Sequence, residues 1–167
     1  MIRFHTRWLA IVAAATVVSF GATAAMAQSA PPAKVDGAQA EAAAKARDDF
    51  MKANSGREKA LIAVMKGEAP LDAKAVQAAQ DQAAAMKDLL SHFPAGSGAD
   101  AVKGSRAKAE IWQQWDKFTQ LANGAVPATQ AAADAAKAGN VQAFNEKQQA
   151  AVKACADCHK DYRAPRQ

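Results

Sequence analysis

The stretch Cys155-Ala156-Asp157-Cys158-His159, close to the C-terminal end of the 167-residue chain, decides how the rest is read. Around it, from about Val141 to Arg163, Phe144, Val152 and Cys155 fall on one stripe, a spacing that predicts a helix closed by Pro165. Residues three and four apart on a helix share a face. Cys155, Cys158 and His159 therefore present two thiols and an imidazole on one side. Three ordinary explanations fit poorly. A disulfide between Cys155 and Cys158 would distort the helix and leave His159 without a purpose. A thioredoxin-like pair sits at a helix N-terminus after a strand, where the macrodipole lowers the thiol pKa; this pair lies near a helix C-terminus with no strand in view. A zinc site needs further ligands, and only His5 and His92 remain besides His159. The spacing is instead that of c-type haem attachment, in which two thiols add to the haem vinyl groups and the adjacent imidazole reaches the iron.

Upstream of this segment the chain reads as three more helices. The first runs from about Ala38 to Met65, with Phe50, Leu61 and Val64 on one stripe, and Gly67 and Pro70 end it. Asp72 is placed to cap a second, whose apolar positions Val76, Ala79, Ala83, Met86, Leu90 and Phe93 form a heptad seam. The longest loop holds Pro94, Gly96, Gly98 and Gly104. Ser105 is then placed to cap a third helix with Ile111, Trp115, Phe118 and Ala122 inward, and Asn123-Gly124 and Pro127 predict a kink or a break in it. Trp112 and Trp115 are read as core packing. Short links between helices one and two, and between three and four, imply antiparallel neighbours, so the expected fold is an all-α, antiparallel four-helix bundle. Composition agrees. Hydrophobic residues make up 50%, but 47 of them are alanines, and aromatics are only 6%, which disfavours a β-sandwich or barrel. Large side chains are few for this length, and an apolar cofactor in the core would supply the missing buried surface.

The N-terminus reads as an address. Arg3, His5 and Arg7 precede the uncharged apolar run Trp8 to Phe20, and Ala25-Met26-Ala27 is a small-x-small cleavage pattern. Residues 1–27 are expected to be a secretory signal rather than an anchor, because the apolar run is short for a membrane span. Residues 28–37 are expected to be a flexible entry and 38–167 the bundle. Without Arg3 and Arg7, 19 basic and 16 acidic residues leave a formal +3. That is too little and too scattered for a nucleic-acid groove.

An alanine-rich, four-helix chain with Cys155 to His159 near its C-terminus resembles the class II c-type cytochromes, the cytochromes c-prime and their low-spin, methionine-ligated relatives. The resemblance runs from about Ala38 to Arg163. It includes Arg47 and Met51 on helix one, Lys66-Gly67-Glu68-Ala69-Pro70 after it, Ile111-Trp112 on helix three, and Tyr162-Arg163 after the haem motif. It implies one covalent haem c per chain and His159 as proximal iron ligand. Met51 falls where relatives carry either an iron-binding methionine or an apolar residue that only crowds the distal face. The run Phe50-Met51-Lys52-Ala53-Asn54 looks more like the low-spin branch. His92, at the end of helix two, reads as a loop histidine rather than a ligand. Arg47, one turn before Met51, is placed either to pair with a haem propionate or simply to face solvent. Arg163 is either a basic neighbour of the proximal histidine or a solvated tail residue.

Functionally, the resemblance implies a periplasmic carrier of single electrons, not an enzyme, which meets a redox partner protein by a transient contact. The alternative is a five-coordinate iron that binds nitric oxide or carbon monoxide, with Met51 as packing. Two ionised propionates would bring the formal charge near +1, so net charge does not predict strong steering. No stable membrane insertion is expected after processing. Family members often form homodimers through their first two helices, which alanine-rich faces permit.

Overall fold

Leu61, Ala79, Ala136 and Phe144 are almost wholly removed from solvent. They come from four different helices, so the stripes read from the sequence do converge. The structure is a computed structural model, and it describes residues 30–165. The expected export signal lies outside the described residues. Helix α1 spans Gly37–Met65, α2 Ala73–Lys87, α4 Trp115–Lys137 and α5 Val141–Tyr162, with a single turn, α3, at Glu110–Gln113 leading into α4. Each long helix packs on two others in a ring: α1 on α2, α2 on α4, α4 on α5, and α5 lightly on α1. This is the antiparallel four-helix bundle.

The local signals account for most boundaries. Asp72 caps α2, its side chain accepting from the Ala75 N–H at 2.9 Å, and Asn140 caps α5 by the same bond to Ala143 at 2.9 Å. Gly67, at φ 72°, takes the left-handed turn that ends α1.

Four expectations need correction. The seam of α2 does not continue as α-helix to Phe93: the helix stops at Lys87, and Leu89–His92 tighten into a 3-10 turn. That rotation buries Leu89 and Phe93 and leaves Leu90 at the edge. Helix three breaks at Gln114 (φ −122°, ψ 42°), not at Asn123-Gly124 or Pro127. Asn123 and Pro127 both face solvent, so water can satisfy the carbonyl that proline leaves without its usual donor. Thr129 Oγ1 also donates to the Ala125 carbonyl at 2.9 Å just beyond it. Ser105 caps no helix; it lies five residues before α3 and joins a side-chain network described below. Nor is the whole entry segment loose. The Val35 N–H donates to the Ala95 carbonyl at 2.8 Å. The chain passes so close there that a Cβ on Gly96 (φ +82°) would collide with the Val35 carbonyl.

The interior is divided. One apolar cluster, at the α1–α2 link end, is built of Leu61, Val64, Ala75, Ala79, Ala83, Ala133, Ala136 and Phe144. The other is built largely of big side chains: Met86, Leu89, Phe93, Ile111, Trp115, Phe118 and Tyr162. Between them lie the buried polar residues Gln82, Thr129 and Gln148.

Candidate functional site

Cys155, Cys158 and His159 lie on the last two turns of α5, and the long α2–α3 loop fixes that end in space. Helix C-termini leave carbonyls without partners. Here the Tyr162 carbonyl accepts from the Lys108 N–H at 3.1 Å, and the Asp161 carbonyl accepts from Lys108 Nζ at 2.8 Å. One residue further, Ala107 and Arg163 form an isolated antiparallel bridge. Ala164 N–H donates to the Arg106 carbonyl at 2.9 Å, and Arg106 Nε donates to the Ala164 carbonyl at 2.8 Å. Inside, the Tyr162 ring meets Phe118 edge-on at 5.3 Å. The motif is thus held from the loop side and the core side at once.

An open cleft of about 470 Å³ runs along this end of α5. It is lined by Val152, Cys155, Ala156, His159 and Lys160 of α5, by Arg163, Ala164 and Pro165 beyond it, by Arg106 of the loop, and by Glu58 of α1. Cys158 turns away from the cleft and packs against the aromatic cluster, which Phe50 and Met51 of α1 also touch. The two thiols therefore face two sides of one region, at the junction where α1 leans only lightly on α5.

Burial sets the chemistry of the three side chains. It pushes the Cys155 thiol up to about 11, with Glu58 and then Cys158 adding repulsion. It pushes Cys158 to about 11 as well, with Asp161 adding to it. These are protonated thiols, unlike the low-pKa pair of a disulfide oxidoreductase. His159 is pulled down to about 4, first by burial and then by the positive charges of Arg163 and Arg106. At neutral pH its imidazole is uncharged, the form that binds a metal. The two cysteines are unbridged.

These features fit a haem. The cleft has the volume of a small-ligand site. It offers a neutral nitrogen donor, a thiol on the cleft and another one turn away, and three cations, Arg106, Lys160 and Arg163, for a ligand's carboxylates.

The other candidates fall in two places. Arg163 lines the cleft beside His159. Met51 is half-buried against the aromatic cluster and is not among the residues lining the cleft. Arg47 is not solvent-exposed: it is 6% accessible. Its Nη1 donates to Ser97 Oγ at 2.8 Å and the His92 carbonyl at 3.2 Å; its Nη2 donates to the Ser97 carbonyl at 2.6 Å and Ser105 Oγ at 3.0 Å. The guanidinium also stands 5.2 Å from the Phe93 ring centroid. Burial lowers its pKa to about 10, so it remains a cation, and no carboxylate is among its partners. Arg47 ties α1 to the loop. His92, expected as a loop histidine, stacks on Phe50 at 4.2 Å. Trp112 Nε1 donates to the Phe93 carbonyl at 3.0 Å.

Sequence reading missed Glu58 and Arg106. Both reach the cleft from outside α5, and no local spacing announces that approach. For Glu58 a weak signal existed: it lies seven residues past Met51, two helical turns along the same side of α1.

Comparison with known proteins agrees with this geometry. The family model of Cytochrome C' matches residues 42–163. A cytochrome c' of Pararhodospirillum photometricum is 34% identical over 126 residues, covering 75% of this chain and 99% of that protein. A cytochrome c-556 of Agrobacterium tumefaciens (strain II Chrys) is 34% identical over 126 residues, covering 70% of this chain and 93% of that one. Among solved structures, cytochrome c' from Rhodobacter Spheriodes superposes with a TM-score of 0.70 at 32% identity, covering 76% of this chain and 98% of that chain. With its four-helix bundle and its cysteine–histidine cleft, this chain belongs to the cytochrome c' family and is a haem c protein.

Proposed function

We propose that this chain carries single electrons in the periplasm through a haem held by Cys155, Cys158 and His159. The observation that carries the reading is the end of α5: a thiol and an uncharged, mostly buried imidazole share one cleft, and a second thiol lies one turn away. Haem supplies a one-electron ferric–ferrous couple when bound. The chain's own residues do the rest. Cys155 and Cys158 would anchor the group covalently, and His159 would supply the nitrogen that ligates the iron. Burial, with the positive charges of Arg163 and Arg106 adding to it, keeps the His159 imidazole unprotonated. Arg47 holds α1 against the loop: its guanidinium is engaged by Ser97, Ser105 and the His92 carbonyl, and it does not line the cleft. No side chain here is given a catalytic role. Residues 1–27 would direct the chain out of the cytoplasm, and among the described residues no helix is long and apolar enough to cross a membrane. The partner is a redox protein that docks transiently.

Met51 distinguishes this reading from a second one. As a sixth ligand it would fix a low-spin iron suited to electron carriage. Two observations favour the second reading, a five-coordinate iron open to nitric oxide or carbon monoxide. Met51 packs with the aromatic cluster rather than along the cleft, and several of the relatives are cytochromes c'. Absorption spectra of the oxidised and dithionite-reduced protein separate the two. Low-spin spectra that become high-spin on Met51→Ala support ligation by Met51. A broad high-spin Soret band and ready carbon monoxide binding in the unsubstituted protein support the gas-binding reading and overturn ligation.

A further inference from the structure

We propose that Glu58 sets the reduction potential of the bound haem by holding an unneutralised carboxylate against it from α1. The inference rests on the haem assignment above and goes beyond it. Glu58 is the one residue of α1 that lines the cleft, across from Cys155 and His159. It is half-buried. Among the described residues its carboxylate accepts no hydrogen bond and lies within ion-pair distance of no cation. Burial raises its pKa above the ordinary carboxylate value, the positive charge of Arg163 opposes that, and Glu58 in turn repels a thiolate at Cys155. Some surface carboxylates of this chain are paired. Asp49, Asp157 and Asp161 each sit on a lysine. A half-buried carboxylate that lines a cofactor cleft with no cation within ion-pair distance has its field directed at whatever fills the cleft.

The direction of the effect follows from charge. Ferric haem carries one more positive charge than ferrous haem, so a nearby anion stabilises the ferric state and lowers the potential. A unit charge near 10 Å in a partly buried site changes such an equilibrium by about tenfold, which is about 59 mV for a one-electron couple. The cleft cations Arg106, Lys160 and Arg163 pull the other way, so the site holds opposed charges whose balance tunes the iron.

The test is a spectroelectrochemical titration of the haem-loaded full chain. Glu58→Gln is expected to raise the midpoint by about that tenfold step, and Glu58→Lys to raise it further. Glu58→Asp, which keeps the charge, should stay near the parent. Glu68→Gln removes an acid of the exposed α1–α2 link and should leave the potential in place, which excludes an effect of net charge. A midpoint unchanged by Glu58→Gln and Glu58→Lys overturns the inference while the haem assignment stands, and so does an equal shift from Glu68→Gln. If both variants fail to take haem although the parent loads, Glu58 is needed for loading, and the potential-setting role is likewise overturned. A parent chain that binds no haem overturns both this inference and the function proposed above.

Discussion

The two ends of the bundle are built on different principles. At the α1–α2 link end, alanines let the helices close on one another around Leu61, Val64 and Phe144. At the other end, Phe93, Trp115, Phe118 and Tyr162 fill the centre, yet α1 and α5 stay apart enough to leave a cleft. Small side chains remove the need for a filler; large ones wedge the helices and frame a slot. The difference teaches that one end stabilises the fold by itself, whereas the other is shaped around a guest.

The largest test of this contrast pairs two phenylalanines. Phe118 and Phe144 are both almost fully buried, one at each end. Truncation of either to alanine should cost about 3–5 kcal/mol, read from urea unfolding. Only Phe118→Ala should also move the visible spectrum of the loaded protein, because its ring packs in the cluster that Cys158 touches. An equal spectral change from Phe144→Ala would break the comparison.

A smaller effect lies at the waist. Gln148 Nε2 donates to Gln82 Oε1 at a long 3.5 Å, and among the described residues Gln148 Oε1 is buried without a partner. Replacing both with leucine should stabilise the protein by about 1–3 kcal/mol, since an unsatisfied polar atom is removed together with its weak mate. Differential scanning calorimetry would read it as a higher Tm. A loss of stability would mean that the polar layer supports packing more than it costs.

The smallest concerns the alanine end alone. Asp72→Ala removes the α2 cap and should cost about 1 kcal/mol by chemical denaturation, with the haem spectrum unmoved.

What the sequence made legible follows the range of the forces involved. Cys155 and His159 carry their own geometry, because four-residue spacing on a helix puts both on the cleft, whereas Cys158, one turn from Cys155, turns to the aromatic cluster. Asp72 is read as a cap for the same reason, since it bonds three residues on. Pro127 does not break α4: it faces solvent, where water can take the carbonyl left without its donor, and sequence does not tell which side of a helix is wet. Arg47 was legible as a position but not as a role. Its partners Ser97 and Ser105 are about fifty residues away, on a loop whose path depends on Val35, Gly96 and the bridge from Ala107 to Arg163. Glu58 belongs to the same class: its meaning appears only when α1 lies across the end of α5.

Haem retention in this chain depends on sulfur bonds from Cys155 and Cys158 to a single haem. The most direct measurement is the intact mass, under denaturing conditions, of the chain produced with a c-type haem maturation system. A single haem mass that survives denaturation and disappears in the Cys155→Ala, Cys158→Ala double variant is the predicted result. A bare polypeptide mass with two thiols that take up alkylating reagent would contradict it.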